Sequence, residues 1–274
     1  MKHPLSIPKK PEGLPTRGKT ASNRLRRADN FLLLYEPSLL TRTDGRFAAS
    51  LFVDLGYGFD PRTTLESASR FRRVNPSLPI LGVEIDQERV EAARPYADAI
   101  THFRLGGFNL PLRAGESVRL IRAFNVFRQY EEEEFAPAYE RLAQYVLPGG
   151  LMIEGTSTPF GQLWAANLAR RMDDGSWRME ALVFSTNFRL GFDVEEFQTI
   201  LPKNHIHHVI KGEPIYDFFK AWKKSASETA AAKVYGLRQW FIQSAEMLAR
   251  KGYKLNLQRK FLSKGWLVWE NPLG

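Results

Sequence analysis

Val53-Asp54-Leu55-Gly56-Tyr57-Gly58 closes an apolar run, residues 49–55 (ASLFVDL), with an acid and two glycines. Such a run, bounded by a glycine turn, reads as a strand buried on both faces. The glycines permit tight backbone geometry and close approach of a ligand. Asp60-Pro61 then supplies an N-cap acid and a proline at the first helical position, predicting a helix over about 61–74. Asn75-Pro76 ends it. Pro79–Ile85 (PILGVEI) reads as the next strand, and Gln87–Arg94 opens another helix. Strand, helix, strand, helix in this order predicts a parallel sheet with right-handed crossovers.

The pattern extends in both directions. Ser117–Phe124 reads as a strand. Glu133–Val146 reads as a helix, with Phe135, Ala138, Tyr139, Leu142, Ala143 and Val146 at helical spacing. Leu147-Pro148-Gly149-Gly150 terminates it, and Leu151–Glu154 is a strand. Leu237, Trp240, Phe241, Ala245 and Leu248 form a late helix stripe stopped by Gly252. Residues 253–270 read as a β-hairpin. Leu163–Arg171 and Arg178–Phe188 read as two strands joined around Asp173-Asp174-Gly175, so either hairpin is a candidate for the sheet edge. A helix is predicted over roughly 23–40, with Leu25, Ala28, Leu32, Tyr35 and Leu39 on one face and Arg24, Arg26 and Arg27 exposed.

The chain has 274 residues, no cysteine and a net charge of +9. Absence of cysteine excludes disulfides, cysteine-held zinc, iron–sulfur clusters and a cysteine nucleophile. No apolar run reaches the ~18–20 residues of a membrane span, and no signal peptide is evident, so a cytoplasmic protein is expected. Residues 1–28 carry eight Lys or Arg against one Glu, which is +7 of the +9 and leaves +2 for the rest. The expected organisation is a basic, flexible leader over 1–22 and one domain over 23–274, with an insertion at about 156–235. The leader is either a solubilising tail or an RNA-contacting arm.

The acid before the first glycine has chemical consequences. A dinucleotide fingerprint presents that turn to a pyrophosphate and needs a third glycine, where this sequence has Pro61. Asp54 there repels phosphate and suits an ammonium. Further acids and glycines stand at successive strand ends: Glu84 after the second, Gly106-Gly107-Phe108 after the third, Asn125 after the fourth. VDLGYG, GVEID, FNLPL, AFNVFRQY and LPGG, in that order and spacing, resemble the motifs of class I (Rossmann-like) S-adenosylmethionine-dependent methyltransferases. The resemblance covers roughly residues 45–155, plus the last helix and hairpin.

It implies an α/β, Rossmann-like three-layer fold with a mostly parallel sheet and an antiparallel C-terminal hairpin. The implied cofactor is S-adenosylmethionine. Its contacts would be Asp54, Gly56, Tyr57 and Gly58 toward the aminoacyl end, Glu84 and Ile85 toward the ribose, Gly107 and Phe108 toward adenine, and Asn125 near the methyl group. One departure is that the acid often found near 106–107 is glycine here, leaving the Phe108 N–H for adenine.

Methyl transfer from a sulfonium is an in-line displacement in which alignment supplies much of the rate. A general base is needed only for a nucleophile with a high pKa. The catalytic candidates are Asn125, Arg128 and Glu154. Arg128 or Arg122 would hold an anionic substrate group, or else pair with Glu131–Glu134. Glu154 is a base or a substrate ligand, or else a structural acid. His205-x-His207-His208 reads as a polar surface strand rather than a metal site, and no metal is expected. Three functions follow: methyl transfer to a small molecule; RNA methylation using the leader with Arg24, Arg26 and Arg27; or non-catalytic S-adenosylmethionine binding.

Overall fold

The computed structural model describes residues 10–16 and 20–272. Eight strands form one sheet: β1 (Leu51–Leu55), β2 (Ile80–Glu84), β3 (Thr101–Leu105), β4 (Val118–Phe124), β5 (Val146–Ser157), β6 (Leu163–Arg171), β7 (Trp177–Thr186) and β8 (Trp266–Glu270). Their order is 3-2-1-4-5-6-7-8. The first five are parallel and the last three run antiparallel to their neighbours. The order 3-2-1-4-5 is that of a doubly wound, Rossmann-like sheet, whose ligand crevice opens where the strand order reverses, between β1 and β4. Of the two candidates, the 253–270 segment supplies the edge strand, β8, and the 163–186 hairpin lies inside it. The 163–186 hairpin follows β5, and β8 pairs on β7 while Leu255 bridges back to Trp269.

The helices are α1 (Arg26–Tyr35), α2 (Pro37–Thr41), α3 (Arg62–Phe71), α4 (Gln87–Ala93), α5 (Phe135–Ala143), α6 (Lys203–Ile206), α7 (Pro214–Glu228), α8 (Leu237–Arg250) and α9 (Arg259–Leu262). The single helix predicted over 23–40 is broken in two. Pro37 cannot donate an N–H and pushes Glu36 out of helical geometry, to φ −137° and ψ 66°. Among the described residues, no helix is long and apolar enough to cross a membrane.

Alternation along the strands separates the core into faces. Phe52, Leu120, Leu151, Trp164 and Val183 pack with Phe31 of α1 and Phe71 of α3 on one side. The other side carries two clusters: one under α5 around Val53, Ile121 and Met152, the other under α7 and α8 around Ala165, Phe184 and Trp222. Glu154 and Asn167 face each other across β5 and β6 on this second side, at the seam between the clusters.

Position 122 corrects one expectation. Arg122 is fully buried and is not available to a substrate. Its register neighbour on β1 is Asp54, which it meets at 2.8 Å, and its other partner is Asp29 of α1. Thr63 and Thr64 of α3 donate to Asp54 at 2.9 and 2.8 Å, and Arg70 meets Asp29 at 2.7 Å. One guanidinium thus ties α1, α3, β1 and β4 together. Removing it leaves two buried carboxylates, with only Arg70 as a counter-charge. Arg122→Met is expected to cost about 3–5 kcal/mol in urea unfolding; a loss under ~1 kcal/mol would show that the carboxylates find other partners.

Candidate functional site

The crevice at the carboxyl ends of β1, β2 and β4 is built from main chain first. Gly56 (φ +69°) and Gly58 (φ +90°) take left-handed conformations that other residues adopt only with strain. The Gly56 N–H donates to the Val83 carbonyl at 2.8 Å, closing the turn against β2. Glu84 ends β2 with 1% of its surface exposed. Its carboxylate accepts from the N–H of Gly58 and from the N–H of Ile85, both at 2.9 Å. Burial pushes this carboxyl above its ordinary range, and those two N–H groups and Arg89 pull against it. The Gly106 N–H donates to the Glu84 carbonyl at 2.9 Å, which brings the Gly106-Gly107-Phe108 wall to the same edge.

Leu55, Gly56, Glu84, Ile85, Gly107, Phe108, Val126 and Tyr130 line this crevice together with residues 12–14 and Thr16. The N-terminal segment fills it. The Phe108 N–H donates to the Glu12 carbonyl at 2.9 Å, and the Asn109 amide clasps the Glu12 N–H and the Lys10 carbonyl, both at 2.8 Å. The Leu14 N–H donates to the Tyr130 hydroxyl, and Gln129 donates to the Leu14 carbonyl. The volume left is about 20 Å³. Residues 10–16, expected as part of a flexible leader, are therefore docked main chain. Residues 1–9 and 17–19 of that leader lie outside the described residues.

Several sequence candidates do not meet in the crevice. The Asp54 carboxylate lies on the Phe52 side of the sheet and is spent on Arg122, Thr63 and Thr64. Tyr57 turns its ring into a cluster with Ala93 and Phe103, and only its main chain borders the turn. Asn125 has φ +60°, and its side chain bridges to Ser157, accepting from the Ser157 N–H at 3.2 Å. Arg128 is exposed and reaches the Thr199 carbonyl at 3.4 Å; it makes no ion pair among the described residues. Arg24 and Arg27 are not free either. Arg24 donates to the Ser157 and Thr158 carbonyls, and Arg27 to those of Thr186 and Lys264. Of the three arginines, Arg26 stays exposed.

Glu154 is buried beneath α5. Asn167 donates to it at 2.9 Å and the Tyr139 hydroxyl at 3.4 Å. Burial raises its carboxyl to about 7, against the pull of those two donors. On the other side of Asn167 stands His205, with Nε2 3.0 Å from the amide oxygen. This corrects the surface-strand expectation: His205 is on α6 and 2% exposed, and burial lowers it to about 4. His208 instead pairs with Glu132 and Glu213. Among the described residues, no group of three His, Cys, Asp or Glu is placed to hold a metal.

Asn109 and Tyr130 carry much of the crevice, although the sequence alone assigns neither a role. Both lie within the segments FNLPL and AFNVFRQY. Their significance depends on a segment about 100 residues away returning to them, which leaves no local signature.

No protein-family model matches the sequence, and no curated protein does. Solved structures similar to the chain are mostly methyltransferases. A Galdieria sulphuraria protein described as a sarcosine dimethylglycine methyltransferase is 18% identical, over 48% of this chain and 47% of that one, with a TM-score of 0.36. CalS10, an amino pentose methyltransferase from Micromonospora echinaspora solved with S-adenosylmethionine bound, is 14% identical over 61% and 69%, with a TM-score of 0.35. The CcbJ methyltransferase from Streptomyces caelestis is 15% identical over 64% and 77%, with a TM-score of 0.36. The chain thus spans about half the length of the Galdieria protein. At these identities the likeness is one of fold alone.

The Glu154–Asn167–His205 seam predicts a pH signature. Folded Glu154 keeps its proton up to about pH 7, whereas an unfolded glutamate loses it near ~4.3. Stability therefore falls as pH rises through that window. His205 has the opposite sign: the unfolded imidazole binds a proton below ~6.5, the folded one only below about 4. Its contribution rises with pH between those values. Glu154→Gln removes only the first effect. The unfolding free energy of E154Q minus that of the parent should climb by about 1.4 kcal/mol per pH unit between pH 5 and 6.5. Urea titrations across pH 5–8 check this, and a difference independent of pH would mean Glu154 titrates as an ordinary carboxylate.

Proposed function

We propose that the chain is an S-adenosylmethionine-dependent methyltransferase acting on a small molecule. The observation that carries this reading is the buried Glu84 carboxylate, fixed by the Gly58 and Ile85 N–H groups at the reversal of strand order. A carboxylate there accepts two vicinal ribose hydroxyls, as an acid at this strand end does in nucleoside and dinucleotide sites alike. The start of α3 argues against the phosphates of a dinucleotide. A free helix N-terminus would serve phosphate, but the Arg62 N–H already donates to Asp60 at 2.9 Å. The ligand supported is a nucleoside without phosphates.

In this reading the Gly56–Gly58 turn meets the aminoacyl end, Glu84 holds the ribose, and Ile85, Gly107 and Phe108 bound the adenine. Asp54 no longer serves as the ammonium partner; its role is to fix β1 against β4 through Arg122. S-adenosylmethionine supplies an activated methyl group, and the protein's task is alignment. Asn125, held by Ser157, stands at the end of β4 beside the expected methyl position. A small acceptor is favoured over RNA because Arg24 and Arg27 spend their guanidinium donors on protein carbonyls. One observation favours a second reading, a non-catalytic binder: among the described residues, Asn125, Arg128 and Glu154 share no partner.

Incubation with methyl-labelled S-adenosylmethionine and a metabolite extract separates the two. Label in the small-molecule fraction supports the enzyme; binding without transfer to metabolites or RNA supports the binder. Glu84→Gln, which keeps one acceptor oxygen for the turn, should weaken S-adenosylhomocysteine binding by about 10–100-fold in calorimetry, with a smaller loss of thermal midpoint than Glu84→Ala, which strands the buried Gly58 and Ile85 N–H groups. Unchanged affinity would remove Glu84 from the site. Asp54→Ala should instead lower stability, because it strands Arg122.

A further inference from the structure

We propose that residues 10–16 are an internal competitor of the cofactor, a plug that must leave the crevice before S-adenosylmethionine can enter. This rests on reading that crevice as the cofactor site. With the segment in place about 20 Å³ remains, whereas small-molecule sites hold roughly 300–1,000 Å³. The segment therefore does not roof a bound nucleoside; it occupies the space of one.

The contacts show how the competition works. Gly107 carries no side chain, and a Cβ built there would stand 1.9 Å from the Glu12 carbonyl oxygen. The Phe108 N–H, the donor assigned to adenine, is taken by that same carbonyl. Gly13 lies against Ile85, the other adenine wall: a Cβ on Gly13 would stand 3.6 Å from Ile85 Cδ1. Thr16 is buried against Gly56, with its methyl 3.0 Å from where a Gly56 Cβ would be, and its carbonyl accepts from Arg89 at 3.0 Å. Adenine wall, adenine donor and glycine turn are each covered by one stretch of main chain. The Leu14 side chain is exposed and the Glu12 carboxylate pairs with Arg141 at the surface at 3.1 Å, so within the crevice the plug is held mainly through its backbone.

A tethered segment of this kind is present at an effective concentration of about millimolar, so it competes without ever leaving the molecule. The apparent affinity for cofactor falls in proportion to the fraction of chains with the crevice open. A plug docked in about 90% of molecules or more lowers it tenfold or more. Whatever binds the leader in its withdrawn state raises cofactor affinity by the same factor.

Gly13 offers a test in the full chain that leaves the crevice residues intact. Its φ is +133°, and a Cβ there would lie 2.6 Å from the Tyr130 hydroxyl, so Gly13→Val cannot dock as the parent does. Glu12→Pro is a second variant, lacking the N–H that Asn109 accepts. Hydrogen exchange without ligand comes first: the Phe108 amide should be protected in the parent and fast in both variants. Equal, fast exchange in the parent would mean the segment is not docked and overturns the proposal. Calorimetry with S-adenosylhomocysteine follows, with both variants expected to bind about tenfold tighter or better than the parent. Equal affinity in all three chains overturns the plug and leaves the cofactor site standing. No binding by any of them overturns the reading of the site, and the plug with it. If saturating S-adenosylhomocysteine leaves Lys10–Leu14 amide protection in the parent unchanged, the segment is a cover over bound ligand and the proposal fails.

Discussion

The Arg122 guanidinium, enclosed between the carboxylates of Asp29 and Asp54, is the interaction on which the rest of the architecture depends. It sits at the reversal of strand order, between the two strands whose separation makes a crevice. Buried charge of this kind is weak evidence for net stability but is strongly directional. Asp54 is pulled to the α3 face by its strand partner, which leaves the top of β1 to the glycine turn. Asp29 brings α1 down on the same point. Glu84 is consequently the acid that faces the crevice, among main chain and the apolar and aromatic walls of Ile85, Phe108, Val126 and Tyr130, and the acid just before the glycines acts from behind it.

The sheet was legible because its signals are local. Apolar runs ending in glycine, proline punctuation and a helix stripe every few residues survive whatever the distant chain does. β1, β2, β4, α3 and α8 stand within a few residues of where the pattern predicts them. The role of Asp54 was not legible, because side-chain direction at a strand end depends on its neighbour across the sheet. The pairing of positions 54 and 122 is a matter of register. His205 failed for a related reason. A His-x-His-His run looks like a polar surface strand, yet Pro202 precedes a short helix that turns one imidazole inward. The leader was least legible of all: prolines, lysines and glycines describe a chain without a core of its own, and not one that borrows a partner's.

The second face of the sheet follows a different logic from the first. One apolar cluster covers it under α5 and another under α7 and α8, and where they would merge the chain places an acid, an amide and an imidazole. Burying both an acid and an imidazole is tolerable because each is driven toward its neutral form. The amide of Asn167 serves both, with its nitrogen toward Glu154 and its oxygen toward His205. A neutral hydrogen-bonded string satisfies the polar groups that β5 and β6 bring to the seam, at the boundary where the parallel half of the sheet gives way to the antiparallel half.

The seating of α1 bears on how the chain is made. Arg27 closes on the carbonyl of Lys264, and Phe31 packs its ring against Trp266 and Phe261. A polypeptide emerges from the ribosome amino end first, at about 5–20 residues per second. The helix that begins at residue 26 must therefore wait, with the part of its apolar face that meets Phe261 and Trp266 uncovered, until some 240 further residues have been added. A helix made early is thus completed late, and during that interval part of its apolar surface stays exposed to the surroundings of the nascent chain.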